Sequence, residues 1–128
     1  MSDDAELLQI AKDAVHLAMP QVSKFAVGAA LLTEDGEVFT GANIESPSLL
    51  QVFCAERVAL LKALSEGAYD FSAIAIYCPD RPGVTPCGLC RQMLFEFAPD
   101  VDVILDDGDG KTRRVPLASL FPEAFEGP

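Results

Sequence analysis

The stretch from Phe25 to Ile44 reads FAVGAALLTEDGEVFTGANI, and the architecture follows from how it is parsed. Phe25 to Thr33 is an uncharged, almost wholly apolar run, the pattern of a strand covered on both faces. Asp35-Gly36 is a two-residue turn signal, and Glu37 to Ile44 reads as the return strand of a hairpin. On the amino-terminal side, Asp3 to Met19 carries Leu7, Leu8, Ile10, Ala11, Ala14, Val15, Leu17 and Ala18 at helical period, with Ser2 as the expected N-cap and Pro20 as the stop. On the other side, Glu45 to Gln51 is a loop containing Pro47. A helix follows over Cys54 to Glu66, expected to turn Val58, Leu60, Leu61 and Leu64 inward and to stop at Gly67. Phe71 to Cys78 is a third strand, Pro79 to Pro86 a proline-rich loop, Cys87 to Phe97 a short helix and Val101 to Leu105 a fourth strand. After an acidic turn over Asp106 to Lys111, Lys111 to Val115 is a fifth strand and Leu117 to Phe121 a last helical turn. Strands separated by helices are expected to pair in parallel through right-handed crossovers, beside the antiparallel hairpin. The fold class is therefore α/β: a three-layer α/β/α sandwich on a mixed five-stranded sheet, one domain over residues 1–128.

Composition narrows the partners. The formal net charge is −11, and the nine basic residues are scattered apart from Arg113 and Arg114. Nucleic acid and anionic membrane surfaces need clustered Lys and Arg, so both are disfavoured, whereas a neutral small molecule suits this charge. No basic and apolar leader opens the chain and no apolar run reaches membrane-spanning length, so the expected location is the cytoplasm. In that reducing compartment the four Cys point to metal binding or catalysis rather than disulfides. Half the residues are hydrophobic, which in so short a chain leaves apolar surface for a subunit interface.

The chemistry concentrates in two segments, Cys54-Ala55-Glu56-Arg57 and Pro86-Cys87-Gly88-Leu89-Cys90-Arg91-Gln92, each at an expected helix start. A Cys-x-x-Cys pair there aims two sulfurs at one spot, where free backbone N–H groups stabilise thiolates. Cys87, Cys90 and Cys54 together make three soft ligands for Zn²⁺, with a fourth position left open, the arrangement of catalytic rather than structural zinc. Glu56, two residues past Cys54, is placed to accept a proton from water at that position and hand it to a substrate nitrogen. The Cys-x-Glu and Pro-Cys-x-x-Cys pairing follows the general pattern of zinc deaminases in its all-cysteine form. Arg57 is expected to hydrogen-bond the sulfurs and draw off some of their charge. The competing reading is a structural zinc knuckle that adds Cys78; a buried thiol closing an apolar strand is the simpler account of Cys78.

With these motifs in place, the chain resembles the cytidine deaminase family, of the small homotetrameric kind with three cysteine ligands. Further matches are Ser23-Lys24-Phe25-Ala26-Val27-Gly28-Ala29-Ala30, Thr40-Gly41-Ala42-Asn43-Ile44-Glu45 and Leu120-Phe121-Pro122-Glu123-Ala124-Phe125. The resemblance implies one zinc per subunit on Cys54, Cys87 and Cys90, with Glu56 as proton shuttle. It implies that Phe25 stacks on the pyrimidine and that Asn43 and Glu45 bind the ribose, chiefly its 3′-hydroxyl. The Ala55 N–H would meet the base carbonyl, the Pro86 carbonyl would receive the departing amino group, and Phe125 would close the pocket from the same or a neighbouring subunit. The implied reaction is conversion of cytidine or deoxycytidine to the uridine analogue plus ammonia, in pyrimidine salvage. One segment departs from the family: Asn-Ala-Ser-Tyr-Gly is replaced by residues of the run Ser46-Pro47-Ser48-Leu49-Leu50-Gln51. Three alternatives follow: a deaminase of a modified or 5′-substituted cytosine nucleoside such as blasticidin S, a non-catalytic zinc-binding protein, and a nucleic-acid editor. Glu45 favours a true nucleoside over the blasticidin type, Glu56 argues against a merely structural site, and the acidic charge argues against the editor. His16 and the acidic run Asp100 to Asp109 are expected to be surface features.

Overall fold

The computed structural model describes residues 3–48 and 50–127. Helix α1 spans Asp4–Ala14. Its N-cap is Asp3, whose carboxylate accepts from the Glu6 N–H at 2.8 Å while Glu6 reaches back to the Asp3 N–H, a capping box. The expected cap, Ser2, lies outside the described residues. The helix also ends sooner than its periodicity predicts. Val15–Leu17 form a 3-10 turn, and Met19, next to Pro20, is extended and bridges Ile44. The pyrrolidine ring disfavours helical geometry in the residue before it.

The hairpin is present as β1, Gly28–Thr33, and β2, Val38–Ala42, with Gly36 at positive φ in the turn. A short ribbon follows, β3 at Ile44–Glu45 against β4 at Val52–Phe53. Helix α2 spans Ala55–Ser65, strand β5 Phe71–Tyr77, helix α3 Gly88–Phe97, strands β6 and β7 Asp102–Gly108 and Lys111–Pro116, and helix α4 Leu117–Leu120. The main sheet runs β2-β1-β5-β6-β7.

Within the main sheet β5 and β6 pair in parallel, whereas β5 lies antiparallel to β1. The expectation of parallel pairing across each helix therefore fails at α2. The chain leaving β2 crosses under α2 and adds β5 to the far edge of β1. β2 and β5 run the same way but with β1 between them.

Alternation along the buried strands sorts two cores. Ala29, Leu31, Ile74, Ile76, Val103 and Leu105 face α2 and α3, whereas Ala30, Leu32, Ala73, Ala75 and Ile104 lie beneath Leu7, Leu8 and Ala11 of α1. This is the expected three-layer arrangement on a mixed five-stranded sheet. Close helix approach depends on two glycines. A methyl group at Gly28 would collide with the Ala11 carbonyl, and one at Gly41 with the Ala55 carbonyl. That second contact seats the start of α2 on β2. It also corrects the inward face of α2: Ala55, Ala59, Leu60 and Ala63 are buried, while Leu61 is 45% exposed and Val58 and Leu64 only half-buried. Ala55 and Ala59 lie where α2 comes closest to Gly41.

The acidic run is less free than its sequence suggests. Asp102 and Asp107 pair with Arg114 and Arg113 at 2.8 and 2.9 Å, and Asp106 with Lys12 at 3.2 Å.

Candidate active site

Two helices begin at the same end of the sheet, where β2 and β5 finish, and each begins on a cysteine. Cys54 is the N-cap of α2 and Cys87 the N-cap of α3, both extended, with Cys90 buried in the first turn of α3. The Cys54 and Cys87 sulfurs are 3.7 Å apart, the Cys87 and Cys90 sulfurs 3.5 Å, and all three lie within 4.8 Å of one another. Bonds of about 2.3 Å to one tetrahedral zinc set sulfurs roughly 3.8 Å apart, so the donor set fits such an ion in both number and spacing. The Cys90 thiol, hydrogen-bonded to the Cys54 sulfur, holds the Cys54 thiol down at about 5 and is itself held well above the ordinary range by the same bond. Cys78 is buried at the end of β5 and stands outside the cluster, so the four-cysteine knuckle has no geometric support among the described residues.

Glu56 is the second residue of α2 and only 5% exposed. Burial pushes its carboxyl up to about 7, and the neighbouring Cys54 charge adds to the rise. Arg57 donates from Nη2 to the Val52 carbonyl at 2.8 Å and lies 5.5 Å from the Phe53 ring centroid. Its buried Nε has no partner among the described residues, and the guanidinium lowers the Cys54 thiol further.

Cys54, Ala55, Glu56 and Cys87 share a cavity of about 210 Å³ with Phe25, Asn43 and Glu45. As the first residue of α2, Ala55 has an N–H free of intrahelical bonding. Glu45 is saturated by its own chain. Oε1 accepts from the Val22 and Ser23 N–H groups at 3.0 and 2.8 Å, and Oε2 from Ser23 Oγ at 2.7 Å and, weakly, from Asn43 Nδ2 at 3.4 Å. These bonds, the Ser23 N–H foremost, hold its carboxyl below the ordinary value. Buried Asn43 donates to the Phe25 carbonyl at 2.7 Å and accepts from the Val27 N–H at 2.8 Å. Asn43 and Glu45 thus fasten residues 22–27, which explains why β1 begins at Gly28 and not at Phe25. Phe25 itself is 38% exposed, with Arg81 4.9 Å from its ring centroid.

Two expected contacts are placed differently. Pro86 is fully buried and its carbonyl accepts from Arg91 Nε at 2.7 Å; Thr85 and Cys87 take its place on the cavity wall. Phe125 is 66% exposed and off the cavity of this chain, its carbonyl held by Gln92 at 3.0 Å. Within the atypical segment, the Ser46 N–H donates to the Gln51 carbonyl at 2.9 Å and Ser46 Oγ accepts from the Gln51 N–H at 3.2 Å; Leu49 lies outside the described residues. Sequence reading missed Ser23, Thr85 and the wall residues Val27, Phe53, Ile76 and Val84 as site components. Ser23 and Thr85 adjoin motif residues, which is a usable signal; the apolar ones read as core. A second hollow, of about 260 Å³, lies at the opposite end of β1 and β2 among Glu34, Asp35, Glu37, Glu66 and Asp70. It holds no comparable ligand cluster among the described residues.

Residues 1–105 match the cytidine and deoxycytidylate deaminase zinc-binding region. A cytidine deaminase of Halalkalibacterium halodurans is 44% identical over 124 residues, covering 96% of this chain and 94% of that protein. A blasticidin-S deaminase of Bacillus cereus is 33% identical, over 93% and 89% of the two chains. The crystal structure of cytidine deaminase from Burkholderia pseudomallei superposes with a TM-score of 0.89 at 41% identity, covering 98% of this chain and 100% of that one. A sulfur triad at two helix starts, a buried glutamate beside it and this likeness along nearly the whole chain lead to one conclusion: the protein belongs to the cytidine deaminase family of zinc-binding deaminases.

Proposed function

We propose that the chain, acting as one functional unit over residues 1–128, hydrolyses free cytidine or deoxycytidine to the uridine analogue and ammonia. The observation that carries this reading is a three-sulfur cluster, two of whose sulfurs line one cavity together with a buried carboxyl and an aromatic ring. Cys54, Cys87 and Cys90 would hold one zinc per subunit, and zinc bound there supplies Lewis acidity that brings a water's pKa toward neutrality. Glu56, titrating near neutral pH, suits a group that must both take a proton and give it up. It delivers one proton to the ring nitrogen N3 and a second to the departing amino group, which leaves against the Thr85–Cys87 wall. Phe25 stacks on the flat base and the Ala55 N–H meets the base carbonyl. Asn43 and Glu45 receive the ribose 3′-hydroxyl, for which the 3.4 Å Asn43–Glu45 bond is the weakest one to give way.

Exposed Leu61, Leu89, Phe97 and Phe125 support assembly with further copies, which we infer to be a homotetramer in which Phe125 can reach a neighbouring cavity. A cytoplasmic role in pyrimidine salvage accords with this substrate. The decisive test combines elemental analysis with the ultraviolet absorbance of cytidine. One zinc per chain and steady loss of the cytidine band are expected; absence of both ends the proposal. The 33% identity to a blasticidin-S deaminase and the substituted Ser46–Gln51 segment favour a second reading, in which a modified or 5′-substituted cytosine nucleoside is preferred. In a substrate panel, cytidine turning over best removes that reading.

A further inference from the structure

Cys87 is exposed, so packing does not hold it in place, yet its sulfur sits between those of Cys54 and Cys90. Hydrogen bonds hold it: the Cys90 N–H donates to its sulfur at 3.5 Å, and two further bonds fix the backbone on either side of its Cα. The Arg91 N–H donates to the Cys87 carbonyl at 2.9 Å, and Arg91 Nε donates to the Pro86 carbonyl at 2.7 Å. Those carbonyls belong to the two rigid peptide planes on either side of the Cys87 Cα. Holding both planes sets φ at −65° and ψ at 167°, and with them the direction of the Cα–Cβ bond. The same guanidinium donates from Nη2 to Thr85 Oγ1 at 2.9 Å, on the cavity wall, and from Nη1 to the Leu120 carbonyl at 2.5 Å, on α4. It is therefore anchored on an element separate from the loop it grips. A planar fork with five donors spans such divergent acceptors; a lysine ammonium, a point charge on a flexible stem, does not.

We propose that Arg91 is a positioning residue whose guanidinium aims the Cys87 sulfur by clamping the peptide group before it, while the first backbone bond of α3 holds the peptide group after it. This rests on the reading of the three thiols as metal ligands. Holoenzyme carrying Arg91→Gln, Arg91→Lys or Thr85→Val is challenged with a chelator and zinc loss is timed. The cobalt-substituted forms are examined by ligand-field absorption, and kcat and KM are measured with cytidine. Arg91→Gln should lose zinc on the order of 10–100-fold faster, as removal of groups supporting metal ligands does. Its cobalt band should shift and kcat should fall more than KM rises, while Arg91→Lys recovers part of each loss. A purely structural role moves the unfolding midpoint but leaves the cobalt band of the folded protein in place. Folded Arg91→Gln with wild-type zinc loss and cobalt spectrum overturns the proposal. If Arg91→Gln does not fold, Thr85→Val, which removes one bond of the set, decides: faster zinc loss supports the clamp and an unchanged rate overturns it. Wild-type protein that binds no zinc and leaves cytidine intact overturns the deaminase reading and the clamp with it; wild-type protein that binds zinc and deaminates cytidine, beside variants that match it, overturns the clamp alone.

Discussion

Glu56 and Glu45 line the same cavity, are 5% and 7% exposed, and are pushed in opposite directions. Glu56 is surrounded by helix and sheet, and burial raises its carboxyl to about 7. Glu45 accepts from the Val22 and Ser23 N–H groups and the Ser23 hydroxyl, and these hydrogen bonds win over desolvation. The contrast teaches that lack of solvent does not by itself assign a carboxylate its role. Donors decide whether the charge is welcome, so one group is free to exchange a proton while the other stays ionised as a fixed acceptor.

The strongest way to break the contrast is Glu56→Gln. Turnover of cytidine should drop by roughly 10²–10⁴-fold or more with zinc content unchanged, since only the proton carrier is lost. Near-normal kcat in a zinc-loaded variant would remove Glu56 from the chemistry.

Stability against pH sharpens the same comparison, because the two groups carry opposite signs. For Glu56 the folded value lies above the unfolded one of 4.5. Below that pH both states are protonated and nothing is gained or lost. As pH rises toward 7 the folded state keeps a proton that the unfolded state has released, so stability falls and then levels off. In metal-free protein, wild type should lose roughly 3 kcal/mol relative to Glu56→Gln across this window, measured by denaturant unfolding at stepped pH. For Glu45 the folded value is lowered, so its contribution is fully present above about 4.5 and fades as pH falls through the folded value. Glu45→Gln should flatten that acid limb and leave the neutral limb alone.

Glu45→Gln should also raise KM for cytidine on the order of tenfold with a smaller change in kcat, as loss of one hydrogen bond from a charged acceptor does. Equal effects on KM in cytidine and in an analogue lacking the 3′-hydroxyl would place Glu45 in loop support alone. The smallest effect is expected at Arg81→Ala, where losing an exposed cation above Phe25 costs about 0.5–1 kcal/mol of ring ordering. It should appear as a modest KM rise; no change would show that Asn43 and Glu45 hold the ring segment unaided.

Much of this was legible in the chain itself. Residue type and short spacing decide where a helix starts and which donors share a turn, so the cysteines, Glu56 and the hairpin around Asp35-Gly36 could be read directly. Apolar runs bounded by turn residues likewise marked the strands, and their order with the helices marked the layered class. What lay beyond reach were long-range choices. Whether β5 joins β2 or crosses to β1 depends on which sheet edge α2 leaves open, and Leu61 faces outward because the seat of Ala55 and Ala59 on Gly41 sets which side of α2 turns inward. Pro86 and Arg91, or Glu45 and Ser23, meet through hydrogen bonds whose direction no periodicity encodes. Local chemistry is written in neighbouring residues and was determined by the sequence alone. Which carboxylate is desolvated and which is bonded depends on segments brought together from afar, and only the tertiary structure decided that.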